Sequence, residues 1–564
     1  QFVNEGGEAV QLLEAASASV DLYGTDWELL HLWGGWAMER TPERTPVLHG
    51  VQSLSSRRGA SGHEHNPFVA LLRPETTESQ GEVYAMSLVY SGDFAIRCGA
   101  NAYESTRLVA GLNPESFSWR LEAGESFQTP EAVLVYADGG LNAMSQVYHR
   151  LYRQRLCRGR WRDQPRPILV NNWEATYFDF DEDKLLAIAR KAADMGIELF
   201  VLDDGWFGHR DLDNSSLGDW VVDRRKLPDG LDSLARKVHE LGLKFGLWME
   251  PEMVSPDSDL YRAHPDWCLH APGRPRTQAR NQLILDLSRA DVCDAIVEAV
   301  SRILSSAPID YVKWDMNRNF TEAASALLPA DRQGEVAHRY MLGLYRVLED
   351  ITSRFPEVLF ESCSGGGGRF DPGMLYYMPQ TWTSDDTDAI ERLRIQYGTS
   401  MVYPISTMGA HVSAVPNHQT GRVTPMQTRG DVALSGNYGY ELDLSRLTPE
   451  DTETACRNIA LYKAIRPVVQ QGTFTRLHSP FASNTAAWQF VSPDGQEVVA
   501  CFFQVCAAAN GPQLRLKLQG LAPEANYEEV DSGRVYNGSV LMHAGLVLPK
   551  LGEYQSQVYH FKRV

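Results

Sequence analysis

No apolar run in these 564 residues is long enough to cross a membrane. Positive charge is scarce: 53 Lys and Arg stand against 72 Asp and Glu, a formal net charge of -19. A surface of that sign repels phosphate backbones and anionic lipid, so neither nucleic acid nor membrane is expected as a partner. A neutral small molecule fits. The eight cysteines form no CxxC pair and no His/Cys cluster suited to zinc, and read as reduced thiols of a cytoplasmic protein. His63-Glu-His65 reads as imidazoles on a surface loop or strand rather than as metal ligands. No GxGxxG or GK[ST] loop follows an apolar strand, which excludes the common nucleotide cradles. No cofactor or metal is expected.

The rest has ordinary globular composition, with 43% hydrophobic and 22% charged residues. Thirteen Trp and 23 Tyr suit a surface on which sugar rings stack, although large barrels also bury many aromatics. Three regions follow one another. Residues 1–140 carry short β-forming runs, such as Ser19-Val-Asp-Leu-Tyr23, cut by Gly, Pro, Asn and Asp, and read as an antiparallel sandwich. The opening Gln1-Phe-Val-Asn-Glu-Gly-Gly7 resembles the interior of a β domain, so a further N-terminal segment, which would carry any export signal, is expected before it. Residues 141–164 begin as a linking helix. Residues 165–480 alternate apolar strands with amphipathic helices, and residues 481–564 return to β, as a small C-terminal sandwich.

Continuous apolar strands between amphipathic helices mean a parallel sheet covered on both faces. Eight candidates, at 168–172, 198–202, 243–248, 283–286, 311–314, 357–361, 380–384 and 401–404, favour a closed (β/α)8 barrel, whose chemistry sits at the C-terminal mouth. Nearly every strand is followed there by charge or an aromatic ring. In order these are Trp173; Asp203, Asp204 and Trp206; Trp248 and Glu250; Arg280 and Asp286; Lys313 and Asp315; Cys363 to Arg369; Asp385 and Asp386; and His411. One such residue means little, since a strand-end Asp is often only a cap. A whole ring of them costs stability, and packing does not require it. Asp315 and Asp385 stand out, because two carboxylates from separate strand ends are the minimum equipment for breaking a glycosidic bond.

The strings Leu202-Asp-Asp-Gly-Trp-Phe207, Trp248-Met-Glu-Pro-Glu-Met253, Tyr311-Val-Lys-Trp-Asp-Met-Asn-Arg318, Glu361-Ser-Cys-Ser-Gly-Gly-Gly-Gly-Arg369 and Thr383-Ser-Asp-Asp-Thr-Asp388 closely resemble glycoside hydrolase family 36 α-galactosidases (melibiases). The resemblance covers essentially the whole chain. It implies a central barrel between an N-terminal β-supersandwich, larger in the family than the stretch present here, and a C-terminal antiparallel sandwich. It implies retaining hydrolysis of terminal α-galactosides, with Asp315 as nucleophile and Asp385 as acid/base. By motif position, Asp203, Asp204, Arg280 and Lys313 bind sugar hydroxyls, Trp173 and Trp248 stack on the sugar, and Cys363 with the backbone of Gly366 contacts the 2-hydroxyl. It also implies a homo-oligomer, often a tetramer.

The residues agree with those roles. Lys313 lies two positions before Asp315, on the same strand face, where a cation favours an ionised nucleophile. Asp386 and Trp382 beside Asp385 are expected to raise its pKa, as an acid requires. Asp386 departs from the Asn expected in some relatives. Three other readings remain open: the same mechanism on a 2-amino or 2-acetamido sugar, a transglycosylase, and a catalytically silent sugar-binding protein.

Overall fold

The computed structural model describes residues 1–564. Its centre is a closed barrel of eight parallel strands. These are β1 (Leu169–Asn171), β2 (Leu199–Leu202), β3 (Lys244–Met249), β4 (Tyr311–Trp314), β5 (Leu359–Ser362), β6 (Gln380–Trp382), β7 (Met408–Ser413) and β8 (Asn437–Glu441). β8 closes on β1, with Gly439 opposite Leu169. β2 is Leu-Phe-Val-Leu and wholly buried, as expected where side chains inside the barrel and helices outside cover both faces.

The helices obey local rules. Over Glu182–Met195, the Asp181 side chain accepts from Lys184 N at the start, and Gly196 ends the helix at φ 84°. A side-chain oxygen thus satisfies a free first-turn N–H, and only glycine takes the left-handed stop without strain.

The strand count of eight is right, but two members differ from expectation. Leu283–Ile284 is not in the barrel; it pairs antiparallel with Met253–Val254, in an excursion that follows β3. Residues 401–404 form a buried turn and a Pro, not a strand. In their places stand β7, which contains His411, and β8. Strand 311–314 is therefore the fourth rather than the fifth, and Asp385 follows the sixth. An apolar triplet such as Leu283-Ile-Leu285 satisfies a covering hairpin as well as a barrel strand. The Asn-Tyr-Gly-Tyr-Glu run of β8 has no apolar periodicity to reveal it.

N-terminal to the barrel, a five-stranded and a four-stranded antiparallel sheet pack together. A helix, Gly140–Leu151, then leads towards β1. The core runs unbroken from these sheets into the barrel. After the last barrel helix, Pro449–Gln471, a six-stranded antiparallel sheet begins at Thr473, with a small core of its own. The loop carrying Gly34 to Arg40 leaves the five-stranded sheet and reaches the barrel mouth. There Arg40 donates to the carbonyls of Gly367 and Thr383, and His63 bonds the Gly365 carbonyl at 2.7 Å.

Candidate active site

The mouth of the barrel holds a pocket of about 380 Å³. Trp173, Asp203, Asp204, Trp248, Arg280, Lys313, Asp315, Cys363 and Asp385 all line it. Asp315 is buried and well supplied with donors. Trp248 Nε1 and Asn317 Nδ2 donate to its Oδ2 at 3.1 and 2.7 Å, and Met316 N donates to Oδ1 at 2.9 Å.

Asp385 has a different setting. Two indoles hold it: Trp36 Nε1 on Oδ2 at 2.8 Å and Trp382 Nε1 on Oδ1 at 3.1 Å. Burial pushes its pKa up to about 6, and the charges of Asp315 and Glu39 add to the rise; the Trp36 bond and Lys313 oppose it. Asp386 does not supply that push. It points away from the pocket, where its Oδ1 caps Asp388 N at 2.8 Å, and burial raises its own pKa to about 7.

Asp203 and Asp204 both reach the pocket because β2 has already ended and Gly205 turns the chain at φ 101°. Asp203 Oδ2 accepts from Lys313 Nζ at 3.2 Å and Asn171 Nδ2 at 2.7 Å, and Arg210 Nε holds Asp204 at 2.6 Å. Lys313 is thus paired to Asp203 rather than to Asp315. Burial disfavours its charge, but Asp203 and Glu441 outweigh that and hold its pKa well above the ordinary value. Glu441 is anchored by His411 Nδ1 at 3.0 Å. Trp173 heads a short helix at the pocket wall, its N–H held by Asn171 Oδ1 at 2.7 Å. Arg280 sits in the left-handed region at φ 51°, on an exposed loop at the rim. The Cys363 thiol is buried, and its pKa is driven up chiefly by that burial.

Of the residues expected at the mouth, Trp206, Asp286, Gly366, Arg369, Asp386 and His411 do not line the pocket. Asp286 is buried outside the pocket, bonded to Ser288 and Ser325. Gly366 is packed behind Asp385: a Cβ there would lie 2.6 Å from Asp385 N and 2.9 Å from Glu39 Oε1. Other residues of the site had no place in the sequence reading. Trp36 and Glu39 come from the N-terminal sheets; Glu39 is buried and accepts from Ser384 Oγ at 2.5 Å. Glu174 follows Trp173 into the pocket, where burial raises its pKa strongly. Only the adjacency of Glu174 to a strand end could have marked it.

Chemically, the pocket holds one donor-rich carboxylate and one part-buried carboxyl that keeps its proton to a higher pH. Buried acids and a lysine stand around them, suited to polyhydroxyl binding. Three family models match in succession: glycosyl hydrolase family 36 N-terminal domain over residues 1–122, melibiase over 126–472 and glycosyl hydrolase family 36 C-terminal domain over 485–561. Alpha-galactosidase AgaA of Geobacillus stearothermophilus is 60% identical across 100% of this chain and 77% of its own length. Alpha-galactosidase 1 of Pediococcus pentosaceus is 51% identical with the same coverage. The AgaA crystal structure superposes with a TM-score of 0.98 at 61% identity, covering 100% of this chain and 78% of that one. Variants of that enzyme have been solved with raffinose and with stachyose. With the whole barrel and both flanking domains matched, the chain belongs to glycoside hydrolase family 36, the family of the melibiases.

Proposed function

We propose that this α-galactosidase removes terminal α-galactosyl residues by double displacement, with Asp315 as nucleophile and Asp385 as acid/base. The observation that carries these roles is the contrast between the two carboxyl groups of one pocket. Asp315 takes three hydrogen bonds that orient it for attack at C1. Asp385, raised to about 6, holds a proton for the leaving oxygen and afterwards activates water as the base. Asp203, Asp204, Lys313 and Arg280 bind the hydroxyls of the sugar, Trp173 and Trp248 offer ring faces, and Cys363 contacts the 2-position. Raffinose-type oligosaccharides are the proposed substrates, in line with the raffinose and stachyose complexes of AgaA.

The test is hydrolysis of matched aryl α-galactoside and α-N-acetylgalactosaminide by wild type and Asp315→Asn. Release from the galactoside alone, lost in the variant, is expected. Preference for the acetamido sugar would overturn the reading of the pocket at Cys363, and an active variant would overturn that of Asp315. Light scattering tests the tetramer that the family resemblance implies.

A further inference from the structure

Glu250 is a buried acid to which the roles above assign nothing. It follows directly on β3, two residues beyond Trp248, and is buried at the wall of the pocket. Its Oε1 accepts from the main-chain N–H of Asn317 at 2.6 Å. The side chain of the same Asn317 donates to Asp315 Oδ2 at 2.7 Å. A second tie joins the two strand ends, since Asp315 N donates to Met249 O at 2.8 Å. Glu250 Oε2, by contrast, has no hydrogen-bond partner.

We propose that Glu250 is a positioning residue for Asp315, acting through Asn317 as an uncharged hydrogen-bond acceptor. The charges around it explain why it is uncharged. Asp315 faces it from the end of β4. Arg210, Asp204 and Asp213 stand on the loop after β2, and Arg280 on the loop after β3. Arg210 is committed to Asp204 at 2.6 Å, and Arg280, exposed at the rim, makes no ion pair with Glu250, whose Oε2 stays without a partner. An anion here would bury an oxygen without a donor and place a second negative charge beside Asp315. Burial first, and then the Asp315 charge, raise the Glu250 pKa to about 8. Near neutral pH it therefore fixes the turn at 316–317, which supplies two of the three donors to Asp315, without repelling that carboxylate. Above pH 8 it ionises, and repulsion disturbs the carboxylate it had held.

The inference rests on the reading of Asp315 as nucleophile. The experiment compares pH profiles of kcat and KM for wild type, Glu250→Gln and Glu250→Ala. The substrate is an aryl α-galactoside whose leaving group needs no proton, so that Asp385 does not set the alkaline limb. Glutamine keeps the acceptor and cannot ionise. We expect it to retain activity within about threefold of wild type at pH 6, and to lack the decline near pH 8 that the proposal expects of wild type. Alanine should lose about tenfold or more in kcat, with KM little changed. A glutamine variant as impaired as alanine, or one whose alkaline limb overlays wild type, overturns the proposal. If alanine does not fold, the glutamine profile decides alone. Asp315→Asn is assayed alongside: activity there would fail the nucleophile reading itself, whatever the Glu250 variants do.

Discussion

The indole of Trp36 donates to Asp385 Oδ2 at 2.8 Å, joining residues 349 positions apart. The β domain is therefore part of the catalytic constellation. Substituting Trp36→Phe keeps the ring and deletes the donor. A hydrogen bond to a charged group is worth about 1.5–3 kcal/mol, so kcat on raffinose should fall by roughly 10–100-fold. The pH profile should move as well. The bond favours the ionised form, so its loss raises the Asp385 pKa further above 6, and the alkaline limb shifts to higher pH. Kinetics on raffinose between pH 4 and 9 check both parts. An unchanged limb would mean that the indole only packs.

A second carboxyl sets a pH dependence of stability rather than of rate. Asp431, on helix Met426–Ala433, is buried at the contact with the C-terminal sheet. Ser556 Oγ donates to its Oδ2 at 2.7 Å and Gln427 Nε2 to its Oδ1 at 2.8 Å, and no cation pairs with it. Burial raises its pKa from 3.8 to about 7. Between those values the folded state binds the proton more tightly than the unfolded chain does. Its stabilising contribution is thus complete below pH 3.8 and is lost as pH rises through about 7. Asp431→Asn should match wild type in Tm at pH 4 and exceed it at pH 8. Thermal unfolding at the two pH values measures the difference, and equal gains at both would refute it.

Much of this site could be read from strand ends, because Asp203, Lys313 and Asp315 follow or lie in short apolar strands and Asp385 comes three residues after a buried one, each inside a long motif. What escaped did so for physical reasons. Leu283–Ile284 satisfies apolarity by covering a loop, whereas β8 is a barrel strand built from Tyr, Gly and Asn. Periodicity reports burial, not the partner that buries. Asp386 shows a related limit. Adjacency to Asp385 suggested charge coupling, but the chain turns there, and the side chain accepts from the N–H of Asp388, the residue that caps the following helix. Trp36 and Glu39 are meaningful only through packing between domains. Nothing in Trp33-Gly-Gly-Trp36 announces a partner in the barrel.

Gly366 offers the sharpest test of how tightly the acid is held. It has φ 77°, a left-handed backbone, and a Cβ on it would meet Asp385 N at 2.6 Å, Glu39 Oε1 at 2.9 Å and Ser384 Cα at 3.1 Å. Two of those contacts are backbone, so relief must come from moving the segment that carries Asp385. Gly366→Ala should therefore cost about 100-fold in kcat on raffinose, the scale of a misplacement near 1 Å. Backbone strain alone would also lower stability, by roughly 1 kcal/mol. Gly421→Ala separates the two effects. Gly421 has φ 69° but open space where its Cβ would lie, so that variant carries the strain without the clash. If Gly366→Ala loses stability as Gly421→Ala does and also loses activity, the glycine is required because it lets Glu39 and Asp385 approach. If both variants retain wild-type kcat, the packing behind Asp385 is slack, and its position is set by the two indoles alone.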